Sequence, residues 1–212
     1  MIQLIGAGGH GKVVIDSWLA GGGRLADLRL RDGRSGMAGS TVLGLVVEHP
    51  EIVDDLSGLQ VHVAIGDNRT RRQLTEAALA VGASLCTIVH PSAVVSRFAR
   101  IGDGCWIGPC AIIGPDVTIE GGVIVGPGAI VDHDCRVASH AFIGANATLA
   151  GGVSVGEMVR IGPGATVPTG LTLGTRAVIA PGVNVLHDLQ PDEPWPAAPC
   201  SDALTTAGTH HP

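Results

Sequence analysis

Ile101–Val125 reads IGDGCWIGPCAIIGPDVTIEGGVIV, and its aliphatic residues fall on every sixth place. The rhythm runs on without an insertion through Ile101, Ile107, Ile113, Ile119, Val125, Val131, Val137, Ile143, Leu149, Val155, Ile161, Val167, Leu173, Ile179 and Val185. Four places after nearly every one stands a small or branched apolar residue, from Cys105 and Ala111 to Ala177 and Val183. Val89 and Val95 carry the register backwards. A period of six predicts one short strand and one turn per hexad, with three hexads closing a triangular coil of about 18 residues. The two apolar places point inward, and coils stack ~4.8 Å apart into a dry core. Glycine follows the aliphatic residue in eight of the fifteen hexads. There, a positive φ or the close approach of another backbone excludes a side chain. The expected fold over this stretch is a parallel β-helix of hexapeptide repeats.

The whole-chain composition agrees with a narrow prism. Among 212 residues there are 32 Gly, two Phe, three Trp and no Tyr, so volume is filled by small and branched side chains rather than rings. The formal charge of −6 offers no basic field to nucleic acid. No apolar run approaches the roughly 20 residues a bilayer span needs, and Met1–Ile5 reads as a strand rather than a leader. Cys86, Cys105, Cys110, Cys135 and Cys200 include no CxxC pair, which argues against a disulfide framework or a zinc ribbon. A cytoplasmic setting without membrane insertion is the expectation.

Residues 1–85 follow another grammar. Strands are expected at Met1–Ile5, Leu28–Leu30 and Val61–Ile65, and helices at about Lys12–Ala20 and Arg71–Val81. This is the βαβ alternation of a small Rossmann-like α/β domain with a parallel sheet. Ligands of such sheets lie beyond the C-terminal ends of the strands, where Gly8, Gly9, His10, Asp32 and Gly66 fall. Gly6–Gly11 spells GxGxxG, but the segment is too short for the two mononucleotide halves of a full NAD site. A single nucleotide with its phosphates at the helix start and a purely structural turn are both open.

Among nine histidines, His133 stands out. It holds the third, outward place of its hexad, and Asp134 follows it. A neighbouring carboxylate favours the imidazolium and raises basicity, which suits a general base. One coil of about 18 residues further on lies Gly151, whose bare amide could meet an oxyanion. A surface histidine beside a glycine corner is the alternative.

Five segments together resemble a known family: Gly6–Lys12 (GAGGHGK), Ala64–Arg69 (AIGDNR), His90–Ala93 (HPSA), Val131–Cys135 (VDHDC) and Leu149–Val153 (LAGGV). They are similar to the bacterial sugar O-/N-acyltransferases of the bacillosamine and perosamine N-acetyltransferase and sialic acid O-acetyltransferase type, over about residues 1–188. The resemblance implies that residues 1–85 hold a nucleotide-linked amino sugar and that residues 86–188 form a left-handed β-helix binding acetyl-CoA. Residues 189–212 are then a C-terminal tail. It implies a homotrimer with active sites in the grooves between prisms, and no metal. His133 would be the base, Asp134 its carboxylate, and Gly151 the donor near the thioester oxygen. Gly8, Gly9, His10, Asp32 and the Gly66 region would meet the sugar nucleotide, and Phe142, Gly151, Pro163 and Pro181 the acetyl-CoA. The implied reaction is N-acetylation, at C4, of the amino sugar.

Three places depart from the family pattern. Phe142 stands where several members carry a second histidine, and His140 is two positions away on another part of the hexad. Pro163 and Pro181 replace residues whose main chain meets CoA, and proline donates no N–H. Pro194-Trp195-Pro196-Ala197-Ala198 replaces the usual C-terminal motif. Other readings are sugar O-acetylation, for example of a sialic acid, a zinc hydratase of the carbonic anhydrase type using His90, His133 and His140, and a non-catalytic scaffold. A serine-type acetyltransferase would have a helical N-terminal region instead.

Overall fold

The structure, a computed structural model, describes residues 1–196; Ala197, Ala198 and Cys200 lie outside them. The N-terminal sheet comprises β1 (Ile2–Ile5), β2 (Leu28–Arg31), β3 (Thr41–Val42), β4 (Leu45–Glu48), β5 (Gln60–Val63) and β6 (Ser84–Leu85). Their order across the sheet is β3-β4-β2-β1-β5-β6. Every residue of β1 is buried, as befits a central parallel strand covered on both faces. Helix α1 (Gly9–Ala20) starts three residues earlier than the pattern predicts, because the glycine loop supplies its first turn. Helix α2 (Asn68–Ala80) also starts early, where the Asp67 carboxylate accepts the Thr70 N–H at 2.9 Å and caps the helix.

The β3–β4 hairpin is antiparallel and was not expected from the sequence. Its two-residue loop, Leu43-Gly44, has positive φ at both positions, which such tight loops require. Leucine at the first of them hides the usual Asn-Gly or Asp-Gly signal.

From Ile88 onward, two-residue strands build three parallel sheets. The first face stacks Ile88–Val89, Trp106–Ile107, Ile124–Val125, Phe142–Ile143, Arg160–Ile161 and Val178–Ile179. The second stacks Val94–Val95, Ile112–Ile113, Ile130–Val131, Thr148–Leu149 and Thr166–Val167, and the third Arg100–Ile101, Thr118–Ile119, Arg136–Val137, Ser154–Val155 and Thr172–Leu173. The first and fifth places of the hexads form one continuous buried core.

Two different constraints act at the corners. The glycine after each aliphatic residue serves close approach: a Cβ on Gly144 would lie 2.5 Å from the Pro163 nitrogen, and one on Gly126 2.7 Å from that of Ala145. Left-handed backbone falls instead on the fourth place, as at Gly128, Asp134, His140, Asn146 and Gly152. Asp, Asn and His tolerate that conformation better than most residues.

The prism continues past the expected end at residue 188. Leu189 is buried in the core, and Pro194–Trp195 pairs with Val178–Ile179 as a further rung. Val178 meets Pro194 only 16 residues on, so the last coil is two residues short and the period of six no longer reveals it. The Trp195 indole N–H donates to the Asn184 carbonyl at 2.9 Å and the ring packs against the end of the core.

The α/β domain sits on the first face. Ile88, Trp106, Ile124 and Phe142 join its apolar core, and the Trp106 indole N–H donates to Ser17 Oγ at 3.1 Å. Arg71, fully buried, spans the seam: its guanidinium donates to the carbonyls of Gly122 at 2.7 Å, His140 at 2.6 Å and Ile65 at 3.1 Å. Burial lowers its pKa to about 10, so carbonyl dipoles hold a charge that has no carboxylate partner.

Candidate active site

His133 stands at the corner between the second and third faces, with a half-exposed side chain. Its Nδ1 lies 2.7 Å from Asp134 Oδ2. That pairing places a proton on Nδ1 and leaves the Nε2 lone pair free. The left-handed backbone of Asp134, φ 61°, turns the carboxylate back onto the preceding ring. Asp132 accepts the His133 N–H at 2.7 Å and adds a second negative charge. The hydrogen bond to Asp134, and then Asp132, raise the imidazole above its ordinary pKa of 6.5.

Gly151 lies against that ring one coil up. A Cβ there would come 2.5 Å from His133 Cε1 and 2.6 Å from Nε2, so any side chain displaces the imidazole. The peptide after Gly151 is engaged in the corner ladder: the Gly152 N–H donates to the His133 carbonyl at 2.9 Å, and the Gly151 carbonyl accepts from Gly170 at 3.0 Å. The Gly151 N–H has no acceptor among the described residues. This is a property of the third place in the hexad, whose carbonyl joins the ladder while its N–H does not. Proline fits there for that reason, at 109, 115, 127, 163 and 181. The structure thus joins His133, Asp134 and Gly151 into one cluster with a base and an unspent amide donor.

The residues expected at acetyl-CoA stand elsewhere. Pro163 and Pro181 share the corner between the first and second faces, one coil apart. The Pro163 carbonyl is taken by Gly182 at 2.8 Å, leaving packing as what its ring offers. Phe142 lies on the first face beneath the Arg160 guanidinium, 4.7 Å from its ring centre. The second face of the prism separates this group from His133 within one chain. His90, His133 and His140 sit on three different corners.

In the α/β domain a cleft of about 720 Å³ opens at the C-terminal ends of the strands, lined by residues including Gly6, Gly8, Asp32, Gly33, Arg34 and Glu51. Gly6 takes φ 114° where a Cβ would strike the Ala64 carbonyl, Gly11 packs against the Gly6 carbonyl, and Gly9 is open. These are a turn, a close helix–strand contact and an exposed helix start. Gly9 has open space around it, and Gly8 has only Arg34 Nη2 nearby, at 4.0 Å from where a Cβ would lie.

Three of the expected ligand contacts stand differently. The His10 imidazole packs edge-on against Trp106, 5.0 Å between ring centres, at the seam with the prism. Burial there lowers its pKa to about 3, so it is a neutral packing group rather than a cleft cation. Asp32 accepts from the Ala7 N–H at 2.8 Å and from the N–H, Nε and Nη2 of Arg34 at 2.8–2.9 Å. Its carboxylate is saturated and held far below the usual range, chiefly by Arg34; it positions Arg34 rather than facing the cleft unspent. Gly66 gives its carbonyl to Arg71 at 3.4 Å, as part of the domain seam.

Comparison with known proteins matches this architecture along its length. Residues 1–78 match the PglD N-terminal domain, and residues 98–133 and 116–151 the bacterial transferase hexapeptide repeats. PerB from Caulobacter crescentus, whose structure is known with CoA and GDP-perosamine, is 39% identical over 90% of each chain, with a TM-score of 0.79. The chain belongs to the PglD-type sugar acyltransferases of the hexapeptide-repeat class. The prism of this family member is accordingly a left-handed β-helix. The acetyltransferase domain of PglB from Neisseria gonorrhoeae, also solved with acetyl coenzyme A, is 33% identical over 91% of this chain and 94% of that one, with a TM-score of 0.81 for the complex. The UDP-N-acetylbacillosamine N-acetyltransferase of Bacillus subtilis is 33% identical over 112 residues, 49% of each chain. The match therefore spans about half the length of that curated relative.

Sequence reasoning weighs the Arg34–Gly39 loop without assigning it a nucleobase, and passes over Glu51 and the seam role of Arg71. Arg34 carried a signal in its position two residues after Asp32, the acidic residue that follows β2. Arg71 carried none, because its carbonyl partners lie on coils far away in the chain.

Proposed function

We propose that this protein transfers the acetyl group of acetyl-CoA to an amino group, at C4, of a nucleotide-linked amino sugar. The observation that carries the reading is the His133 imidazole, tied to Asp134 and lying against the bare backbone of Gly151. The sugar amine attacks the thioester carbonyl carbon, and His133 Nε2 takes the amine proton as the new C–N bond forms. Asp134 stabilises the resulting imidazolium, and the Gly151 N–H donates to the oxyanion of the tetrahedral adduct. Collapse breaks the C–S bond; the thiolate of CoA leaves and takes the proton from His133. Amide, free thiol and the original imidazole result.

The working unit in this reading is a homotrimer. The first face is covered by the α/β domain, and the third carries outward Arg100, Thr118, Arg136, Ser154 and Thr172. The second carries Val94, Ile112 and Ile130, with Val94 63% and Ile112 42% exposed. The corners flanking that apolar face hold His133 with Gly151 on one side and Pro163 with Pro181 on the other. Packing second faces about a three-fold axis sets one copy's base beside the next copy's acetyl-CoA residues.

The test is thiol release from acetyl-CoA with a panel of nucleotide-linked 4-amino sugars and their 4-hydroxy counterparts. His133→Ala is expected to lower kcat by about 10²–10⁴-fold with an unchanged melting temperature. Turnover of the variant at the parent rate removes His133 as the base, and preference for the hydroxy sugars makes the enzyme an O-acetyltransferase. Sedimentation at one chain's mass would overturn the trimer.

A further inference from the structure

The relatives differ in their nucleotide, GDP-linked in C. crescentus and UDP-linked in B. subtilis, so family membership leaves the base open. We infer that the α/β cleft of this chain selects guanine, with the Glu51 carboxylate accepting from the N1–H and the 2-amino group. The inference rests on the proposal above that a nucleoside diphosphate sugar occupies this cleft.

Placement comes first. Phosphates belong at the start of α1, where Gly8 and Gly9 leave the backbone open. From there a nucleoside runs along the strand ends toward β2 and β4, and the cleft on that side is lined by Gly33, Arg34 and Glu51. Its volume, about 720 Å³, lies in the range of small-molecule sites.

The polar groups at that end are arranged for a ligand. Arg34 spends Nε and Nη2 on Asp32, which locks the planar guanidinium and leaves Nη1 unspent on a side chain 62% exposed. Glu51 is half-buried and takes no hydrogen bond from any described residue. Its carboxylate lies against Gly33, where a Cβ would come 2.5 Å from Oε2 and 2.7 Å from Oε1. Gly33 is not in the left-handed region, so a side chain there would move the Glu51 carboxylate without straining the backbone.

Base chemistry then discriminates. A carboxylate offers two acceptors side by side, while the Arg34 guanidinium stands nearer the start of α1, its Nη2 4.0 Å from where a Cβ on Gly8 would lie. Guanine presents two neighbouring donors, N1–H and the 2-amino group, beside the acceptor O6. Uracil and thymine present one N–H flanked by two carbonyls, which would set an oxygen against the Glu51 carboxylate. Adenine lacks the paired donors on that edge.

The experiment is calorimetric titration of the full chain with GDP, UDP and IDP, the last being GDP without the 2-amino group. GDP is expected to bind about 10- to 100-fold more tightly than UDP and about tenfold more tightly than IDP. Glu51→Gln should abolish the GDP-over-IDP preference, and Gly33→Ala, which pushes the carboxylate aside, should do the same by another route. Arg34→Ala, near the start of α1, should weaken all three nucleotides alike. Equal binding of GDP and UDP, both weakened by Arg34→Ala, overturns the guanine assignment while leaving the nucleotide site in place. Binding of no nucleoside diphosphate, or binding indifferent to all three variants, overturns the nucleotide site itself.

Discussion

Two imidazoles in this prism each lie against a glycine of a neighbouring coil, His133 against the following one and His140 against the preceding one, and the two corners turn that arrangement to opposite ends. His133 rests on Gly151 at an open corner, paired with Asp134, and its pKa is raised. His140 rests on Gly122, where a Cβ would come 2.5 Å from Nδ1, at the corner roofed by α2. Its Nδ1 is buried without a partner, and burial followed by the Arg71 charge lowers its pKa. The repeat supplies a histidine-on-glycine stack at two places of the hexad, the third for His133 and the left-handed fourth for His140. What covers the corner decides whether a carboxylate raises the ring's basicity or burial lowers it.

The comparison breaks most visibly at the glycines. Gly151→Ala should cost about 10²-fold or more in kcat with little change in melting temperature, because Gly151 needs space but no left-handed φ. Gly122 takes φ 67°, so Gly122→Ala should instead destabilise the fold by about 1–2 kcal/mol and leave the turnover of folded enzyme intact. Calorimetric melting alongside thiol-release kinetics separates the two, and an active Gly151→Ala enzyme would end the claim that the ring must lie there.

A smaller effect, on stability, is expected from the roof itself. Arg71→Met removes the cation that satisfies carbonyls from both domains and should lower stability by about 2–4 kcal/mol, read as a denaturant midpoint. A loss confined to the α/β domain would show that the seam does not couple the two.

The smallest expected effect is a shift in pH dependence. A base acts only when neutral, and the His133 pKa is raised, so kcat/KM should fall with acid through a limb above pH 6.5. Asp134→Asn keeps a residue that tolerates left-handed backbone but removes the charge, and should move that limb to lower pH. An unmoved limb assigns the titration to another group. The lowered histidines act on stability in the opposite sense. His10 at about 3 and His62 at about 4 bind fewer protons folded than unfolded. Stability they contribute is present above pH 6.5 and is lost as pH falls toward 4.

The hexad register, its inward residues and the third-place pairing of His133 with Gly151 were legible because one position in a repeat means the same thing in every coil. The register failed where the last coil drops two residues, and Leu189 and Trp195 were hidden by that. In the α/β domain no period exists. His10 was assigned to the ligand because the glycine loop points there, yet its side chain turns to Trp106, a partner that only the packing of the domain on the first face provides.

By itself, then, the chain of residues determined the prism, its core and the stack of imidazole on glycine, since each follows from local spacing and the size of side chains. Tertiary structure alone decided which corners stay open, that Asp32 is spent on Arg34, that Arg71 joins the domains and that Glu51 has no hydrogen-bond partner among the described residues. The physical reason is that burial and the saturation of donors and acceptors depend on neighbours distant in the chain, and these set the charge, the basicity and the availability of every group at the site.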